Sequence, residues 1–355
     1  MDQLQNDYPW TKAPLVVGAP MRMIALSPLA IAVSQAGGFG FLAAGNDVSN
    51  LSSGLDAVKA AQAHDTHLSH FKNVLPVGVG VFVWAGEKLL QASLPILEKY
   101  RPAAIWLYAA NNTRELVQWT QETRRVTAGV TKIWIQVGSV QEAVEYTEAC
   151  DPDVLVVQGQ DAGGHGLVQG AGIIALFPEV DDALTTLCQE RQIRKPSLIA
   201  AGGVMDGRGG AAVLALDAAG FAMGTRYLAS PEANIAQGYR AAVVQASDGG
   251  QATERTKLYD QLRGTTDWPT RYGGRGVLNE SFSDHANGLS FEENQRLYRE
   301  AEKKGDDGWG KNARMTTYAG TGVGLVREVK KAAIITEEVR EDARRCLDKV
   351  ANKLR

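Results

Sequence analysis

Short apolar runs alternate with longer amphipathic segments over residues 15–230 of this 355-residue chain. We interpret each apolar run as a strand buried on both faces. The pattern predicts eight strands, at Leu15–Ala19, Phe39–Ala43, Leu75–Phe82, Ala104–Tyr108, Lys132–Val137, Asp153–Gln158, Ser197–Ala201 and Gly220–Met223. The helical period between them predicts helices at Pro28–Ala36, Leu51–His64, Glu87–Tyr100, Thr113–Val126, Val140–Cys150, Asp181–Arg191 and Gly209–Asp217. Alternation of this kind builds right-handed β-α-β units, and eight of them predict an α/β fold, a closed (β/α)8 TIM barrel.

The alternation stops after Ser230, and the remaining chain has a different character. We predict that residues 1–230 and 315–355 form the barrel with C-terminal helices. Residues 231–314 would form a smaller, mainly helical subdomain, inserted after the last barrel strand, that caps the barrel mouth. Within it, we expect Arg271, Tyr272 and Arg275 in a polar loop. The tail from Gly324 predicts one or two amphipathic helices with an apolar side made of Leu325, Val329, Ala332, Ile335, Val339, Ala343, Leu347 and Val350.

Composition narrows the class of protein. The formal net charge of -3 argues against nucleic-acid or anionic-membrane partners, which need concentrated positive charge. The N-terminus lacks the features of a secretory signal, and no apolar run reaches the roughly 18 to 20 residues of a membrane span. Three widely spaced cysteines form neither a disulfide framework nor a CxxC metal pair, which favours a reducing compartment. We therefore expect a cytoplasmic protein, as a monomer or a homodimer.

One histidine stands at the position where α/β barrels collect their chemistry. The segment 154–166 begins as the sixth buried strand and then breaks into glycine and polar residues around His165. Parallel strands carry catalytic groups at their carboxyl ends. Histidine also exchanges protons readily near neutral pH, so His165 is the candidate catalytic residue. The alternative is a buried histidine that binds a backbone carbonyl.

Two glycine-rich joints follow the seventh and eighth predicted strands. They contain Gly202 and Gly203 in the first joint and Gly224 and Thr225 in the second. In barrels these two loops commonly bind phosphate through bare backbone N–H groups, although glycines also serve tight turns. Neither joint is a dinucleotide fingerprint, which favours a mononucleotide such as FMN.

Other strand ends add groups that suit a flavin. Ala19, Pro20 and Met21 follow the first strand, where methionine offers a soft apolar surface for a flat ring. Gln136 and Gln158 end the fifth and sixth strands, where their amides can bind a ring edge or a ribityl chain.

Together these pieces resemble the nitronate monooxygenase family, also called 2-nitropropane dioxygenases. The matching stretches are residues 19–21, 27–38, 158–165, 200–209, 224–225 and 318–325. The resemblance implies an FMN-dependent oxidoreductase that oxidises alkyl nitronates, and in some members nitroalkanes, with O2 to a carbonyl compound and nitrite. It implies His165 as the active-site histidine, which removes the α-proton of neutral nitroalkanes. It implies flavin contacts from Met21, Gln158, Gly163, Gly202, Gly203, Gly224 and Thr225, and we add the neighbouring Gly164 to the cofactor-binding set.

The sequence departs from the family pattern at two points, and other functions remain open. Gly80 stands where a polar flavin contact is expected, and Leu167 stands where many relatives carry a His-Arg-Gly run. The FMN-dependent enoyl-thioester reductases, which take hydride from NAD(P)H, share the fold and much of the Ala-Gly-Gly-His motif. A third possibility is a flavin-binding protein with little catalysis.

Several further residues are assigned from position alone. Trp84 and Tyr108 follow predicted strands at the barrel mouth and, with Tyr318, are expected to line a substrate pocket. No metal site is expected, because His64, His67 and His70 lack accompanying carboxylates or cysteines. His285 is expected in an exposed polar loop. The remaining tryptophans of the barrel strands and helices are expected to serve packing: Trp106, Trp119 and Trp134.

Overall fold

The computed structural model describes residues 3–71 and 73–354. In chain order its strands are β1 Leu15–Gly18, β2 Phe39–Gly45, β3 Leu75–Phe82, β4 Pro102–Tyr108, β5 Lys132–Val137, β6 Val154–Gln158, β7 Gly164–Leu167, β8 Ser197–Ala201, β9 Gly220–Met223, β10 Thr253–Thr256 and β11 Tyr272–Val277. The α-helices are α1 Gln3–Asp7, α2 Ser27–Gln35, α3 Leu51–His64, α4 Glu87–Tyr100, α5 Thr113–Thr127, α6 Val140–Cys150, α7 Ile173–Arg191, α8 Gly207–Ala215, α9 Thr225–Leu228, α10 Gln237–Gln245, α11 Gly249–Ala252, α12 Leu258–Arg263, α13 Glu280–Ala286, α14 Phe291–Glu302 and α15 Ala332–Lys353.

A closed parallel barrel forms the body of the molecule. Its strands follow the order β1-β2-β3-β4-β5-β6-β8-β9, and β9 pairs with β1 to close the ring. The eight strands predicted from the sequence are therefore confirmed as barrel strands. Nearly every strand residue is buried, because helices cover the outer face and large side chains fill the inner one.

The floor of the barrel is packed with aromatic side chains. Phe39, Phe41 and Trp134 meet inside the barrel. Tyr8, the residue directly after α1, packs against them. The Trp134 indole nitrogen donates a hydrogen bond of 2.7 Å to the Tyr8 hydroxyl, so the buried polar atoms satisfy each other. This plug leaves the opposite end, at the carboxyl ends of the strands, as the open one.

Two helices differ from their predicted extents. Helix α7 begins at Ile173 rather than at the predicted Asp181. Ile173 and Phe177 extend the buried face of the helix toward its N-terminus, and Pro178 lies within the helix. The tail is a single helix, α15, that packs against α8 and α2. Its buried residues include four of the predicted apolar side: Ala332, Ile335, Val339 and Ala343. Three others are exposed instead, since Leu325 and Val329 precede the helix and Val350 lies beyond its packed turns.

The inserted segment, residues 231–314, carries five α-helices, α10–α14, a 3-10 helix at Gly305–Gly308 and the strands β10 and β11 within the described residues. Strand β11 pairs antiparallel with both β10 and β7, so this segment is bonded to the loop that follows β6. The expectation of a polar loop at Tyr272 and Arg275 is therefore wrong. Three glycines give β11 a poor intrinsic preference for strand, and pairing across the fold overrides it.

An apolar cluster joins the inserted segment to the barrel. It includes Tyr239 and Val243 from α10, Val277 from β11 and Leu228 from α9. Among the helices of the described residues, none combines the length and apolar character that crossing a membrane requires.

Candidate active site

A cavity of about 700 Å³ opens at the carboxyl ends of the barrel strands. It is lined by every residue that the sequence analysis assigned to cofactor, catalysis or substrate: Ala19, Pro20, Met21, Trp84, Tyr108, Gln136, Gln158, Gly163, Gly164, His165, Gly202, Gly203, Gly224, Thr225 and Tyr318. The fold thus brings these residues to one place, and their individual roles remain predictions.

The joint after β1 explains one departure from the family pattern. A Cβ atom added at Gly80 would lie 2.3 Å from the Pro20 Cβ, which is closer than real carbon atoms approach. Gly80 therefore allows the loop carrying Pro20 and Met21 to cross the end of β3. A polar side chain at Gly80, which the family pattern led us to expect, would displace this loop.

Backbone without side chains faces the cavity after β8 and β9. Gly202 and Gly203 have φ angles of +98° and +79°, values that other residues rarely adopt. A Cβ at Gly224 would lie 3.5 Å from the Met21 sulfur, in the same region of the cavity. The hydroxyl of Thr225 accepts a hydrogen bond of 3.0 Å from the Gly320 N–H, which leaves its own O–H to donate.

The two predicted glutamines are oriented by neighbouring groups. The Gln136 side-chain oxygen accepts a hydrogen bond of 2.9 Å from the Trp106 indole nitrogen, so its amide N–H groups are left for a ligand. Gln158 donates to the backbone carbonyl of His165 at 3.2 Å. Trp106 packs in the barrel interior, and it also lines the cavity and orients Gln136.

His165 is held by a carboxylate rather than by a backbone carbonyl. Strand β7 carries it opposite Gly274 of β11. Its Nε2 atom lies 3.0 and 2.9 Å from the two oxygens of Asp260, a residue of α12 that is only 5% exposed. The same carboxylate accepts hydrogen bonds from the Tyr318 hydroxyl at 2.9 Å and the Thr265 hydroxyl at 3.1 Å.

The face of the His165 ring is covered by an indole. Trp268 stacks on it with 3.7 Å between ring centroids and 6° between the planes. Trp268 also contacts Phe82, Trp84 and Tyr108, so aromatic rings wall this side of the cavity. The Trp84 indole nitrogen and the Tyr108 hydroxyl are buried and have no hydrogen-bond partner among the described residues.

An arginine of the inserted segment fixes the loop that leads to His165. Arg255 donates to the backbone carbonyls of Ala162, Gly164 and Gly273 at 2.8, 2.9 and 2.7 Å. Burial lowers the pKa of Arg255 to about 10, and the guanidinium remains charged at neutral pH. Carbonyls of the loop before β7, of β7 itself and of β11 thus meet one half-buried cation, which ties these segments together.

Arg263 is the cation of the cavity without a fixed partner. Its guanidinium carbon lies 5.4 Å from the centre of the Tyr318 ring. The Arg263 side chain forms no hydrogen bond or ion pair within the described residues. Burial, reinforced by the nearby Asp260 charge, raises the pKa of Tyr318 well above its ordinary value. Tyr318 therefore stays a neutral hydroxyl that donates to Asp260.

Sequence reasoning missed Asp260, Trp268, Arg255 and Arg263. All four lie in the segment without a readable strand–helix alternation, and Asp260 is 95 positions from His165. No local sequence motif predicts a hydrogen-bond partner for His165 at that distance along the chain. A buried aspartate beside an apolar helical stripe, as in 258–262, is the one signal that could have drawn attention to it.

The other histidines lie away from this cavity. His64, His67 and His70 are exposed at the end of α3 and in the turn that follows, where His67 hydrogen-bonds the Trp10 carbonyl at 2.9 Å. His285 is exposed on α13 rather than in a loop. Over the described ranges, no three His, Cys, Asp or Glu residues are grouped as metal ligands.

Comparison with known proteins identifies relatives over the whole chain. The family model described as nitronate monooxygenase matches residues 83–342. The chain is 45% identical to "Nitronate monooxygenase npaC" of Metarhizium robertsii, covering 99% of this chain and 97% of that one. It is 36% identical to a nitronate monooxygenase of Neurospora crassa, covering 99% and 94%.

Solved structures show the same fold at lower identity. FabK from Thermotoga maritima superposes with a TM-score of 0.71 at 20% identity, covering 99% of this chain and 98% of that one. A nitroalkane oxidase from Streptomyces ansochromogenes gives a TM-score of 0.70 at 22% identity, covering 98% and 99%. The family model and the two full-length relatives lead to one conclusion: this chain belongs to the nitronate monooxygenase family.

Proposed function

We propose that this enzyme uses FMN and O2 to oxidise alkyl nitronates, and neutral nitroalkanes after loss of their α-proton, to carbonyl compounds and nitrite. The observation that carries the proposal is the His165–Asp260 pair, which lines the same cavity as the bare glycine joints in a member of this family. The curated relatives are named for this activity.

The residues of the cavity fit a flavin mononucleotide. The cavity volume lies within the roughly 300–1,000 Å³ typical of ligand sites. Gly202, Gly203, Gly224 and Thr225 would hold the phosphate through backbone N–H groups and a free hydroxyl. The side chains and backbone assigned to the ring and ribityl chain would be Ala19, Pro20, Met21, Gln136, Gln158, Gly163 and Gly164. When bound, the flavin supplies the electron acceptor that O2 regenerates.

The remaining cavity groups would act on the substrate. His165 would take the α-proton of a neutral nitroalkane or hydrogen-bond a preformed nitronate. Arg263, a cation without a fixed partner, would attract an anionic substrate. The aromatic wall of Trp84, Tyr108 and Trp268 would keep water from the reacting carbon.

The first experiment asks whether the protein binds a flavin. The purified protein should be yellow, or should take up added FMN with a change in the flavin spectrum. Absence of both would overturn the proposal. The flavoprotein is then mixed without oxygen with a nitronate and, separately, with NADPH. Bleaching by the nitronate but not by NADPH is the expected result, and the reverse would identify an enoyl-thioester reductase-like enzyme.

A variant then tests the histidine. His165→Asn should retain FMN and should lower the rate with a neutral nitroalkane by about 10²–10⁴-fold, the usual contribution of a positioned base. The rate with the preformed nitronate should fall far less, because that substrate has already lost its proton. Equal loss with both substrates would remove His165 as the base.

We propose, in addition, that residues 231–314 form the substrate-side cover over a barrel of residues 1–230 and 315–355. The three free cysteines suit the reducing cytoplasm, where we place the enzyme as a monomer or homodimer. Light scattering distinguishes the two assemblies, and a larger mass would contradict both.

A further inference from the structure

Asp260 is a buried carboxylate beside His165, and the proposed reaction gives it no role of its own. Both of its oxygens contact His165 Nε2, and it also accepts from the hydroxyls of Tyr318 and Thr265. Arg263, on the same helix, is the nearby cation, and burial keeps Tyr318 neutral by raising its pKa. Asp260 accepts from two hydroxyls, and a carboxylate can only accept hydrogen bonds.

The contact therefore decides which ring nitrogen carries the hydrogen. Because an ionised Asp260 cannot donate, Nε2 must carry its hydrogen and donate to the carboxylate. In a neutral imidazole the lone pair then lies on Nδ1. That atom receives no hydrogen bond from the described residues, and it is not one of the buried atoms left without a partner. Nδ1 is thus the nitrogen of His165 that remains open to a substrate.

We propose that Asp260 is a positioning residue that holds His165 as the Nε2–H tautomer and stabilises the cation formed when Nδ1 takes the α-proton of a neutral nitroalkane. The inference rests on the proposed function of His165. In this step the substrate C–H bond breaks and an N–H bond forms at Nδ1. The electron pair stays on the substrate, which becomes the nitronate.

Two contacts stabilise the charge that results. The positive ring faces the Asp260 oxygens at 2.9–3.0 Å, and the face of Trp268 lies against it. A preformed nitronate requires no such proton transfer. Asp260 should therefore matter for nitroalkanes and hardly at all for nitronates.

Nitrogen NMR of the full-length protein, labelled with ¹⁵N-histidine, reads the tautomer without any turnover. The chain has five histidines, so His165→Gln assigns the signal. In its neutral form, wild-type His165 should show a protonated Nε2 and a bare Nδ1. In Asp260→Asn the amide can donate to Nε2, and the hydrogen should move to Nδ1. A wild-type ring that carries its hydrogen on Nδ1 would overturn the inference.

Kinetics of flavin reduction give the second readout. Asp260→Asn should lower the rate with a neutral nitroalkane by about 10²–10⁴-fold, as expected when a base loses its orientation. The rate with the nitronate should stay within about tenfold of wild type. Equal losses with both substrates would show a merely structural role. Asp260→Glu, which keeps the charge, should recover part of the nitroalkane rate.

The matched control is Asp307→Asn. Asp307 is an exposed carboxylate of the same segment that does not line the cavity, and within the described residues its side chain makes no hydrogen bond or ion pair. Both rates should stay unchanged, and a selective loss with nitroalkane would mean that any negative charge in this region suffices, which contradicts the inference.

A folding failure of Asp260→Asn would still leave two decisive measurements. The wild-type NMR signal reports the tautomer directly. Thr265→Val removes one donor to Asp260 and should lower the nitroalkane rate by about tenfold, with the nitronate rate unaffected; no difference between the substrates would count against the inference. If the protein oxidises no nitronate but shows the Nε2–H tautomer, the proposed function fails while the pairing stands.

Discussion

The barrel and the inserted segment contribute different chemistry to one cavity. From the barrel come backbone, amide and apolar groups, such as Gly203, Gln136 and Met21. The segment between α9 and residue 315 contributes an acid, a cation and an indole to the cavity, namely Asp260, Arg263 and Trp268, while its Arg255 holds the loop before His165. The barrel side suits a bound flat ring and phosphate, and the inserted side suits proton transfer and an anionic substrate.

This difference also explains how the two regions are stabilised. Barrel strands are buried on both faces, and their burial follows from a repeated apolar pattern. The inserted segment is held to the barrel by a smaller apolar cluster and by directed contacts, such as the pairing of β11 with β7 and the hydrogen bonds from Arg255 to backbone carbonyls. One substitution should therefore damage the inserted side more selectively than the barrel side.

The largest expected effect comes from Arg255→Met. The variant removes the donor that Arg255 supplies to the carbonyls of Ala162, Gly164 and Gly273, so we expect the free energy of unfolding to fall by about 3 kcal/mol. Urea denaturation measures the loss. Arg125→Met is the control, because Arg125 is a surface residue of α5 paired with Glu122, and its midpoint should not move. Similar midpoints for the two variants would show that the loop is held without Arg255.

Gly203→Ala tests whether the barrel side holds the phosphate. A methyl group at this positive φ should raise the Kd for FMN at least tenfold, or about 1.4 kcal/mol. The control is Gly129→Ala, which has a similar φ of +73° but open space around the added atom and lies after α5. It should lose some stability to backbone strain and keep the FMN affinity. An equal affinity for FMN in both variants would show that the phosphate does not bind at Gly203.

Trp268→Ala tests whether the indole of the inserted segment that stacks on His165 contributes to the rate. Loss of the stacked face should lower the nitroalkane rate about fivefold, in line with about 1 kcal/mol for a ring that faces a forming cation. Trp268→Phe keeps an aromatic face and should retain most of the rate. Stopped-flow flavin reduction compares them, and an unchanged rate in the alanine variant would exclude a role for stacking.

The smallest expected effect is an alkaline loss of stability from two tyrosines that lie outside the inserted segment. Burial raises the pKa of Tyr227 in α9 above its ordinary value, as it does for Tyr318 at the cavity. A raised pKa means that the unfolded chain releases the proton first, so stability present below about pH 10 falls as the pH rises. At pH 10.5 each tyrosine should account for about 0.8 kcal/mol.

Urea denaturation at pH 8 and pH 10.5 measures this loss. Tyr227→Phe and Tyr318→Phe should each show a smaller alkaline loss than wild type, by about the amount of one ionisation. A variant with the full wild-type loss would mean that its tyrosine ionises equally in both states.

The fold could be predicted further than the site. Eight strands and most of the surrounding helices were placed within a few residues, because buried parallel strands and amphipathic helices leave periodic patterns. The sequence does not predict strand β11, since its Tyr-Gly-Gly-Arg-Gly-Val stretch has no strand pattern and pairs because β7 and β10 lie beside it. The exposed Val350 shows that an apolar stripe can continue beyond the surface it packs on.

The sequence by itself determined the barrel, the glycine joints after β8 and β9, and the place of His165, because these depend on residues close together in the chain. Only the tertiary structure decided that Asp260 meets His165 from 95 positions away, and that Trp268 covers the ring. Contacts of this kind depend on how distant segments pack, and packing leaves no local pattern in the sequence. The open Nδ1 atom of His165 follows from that contact.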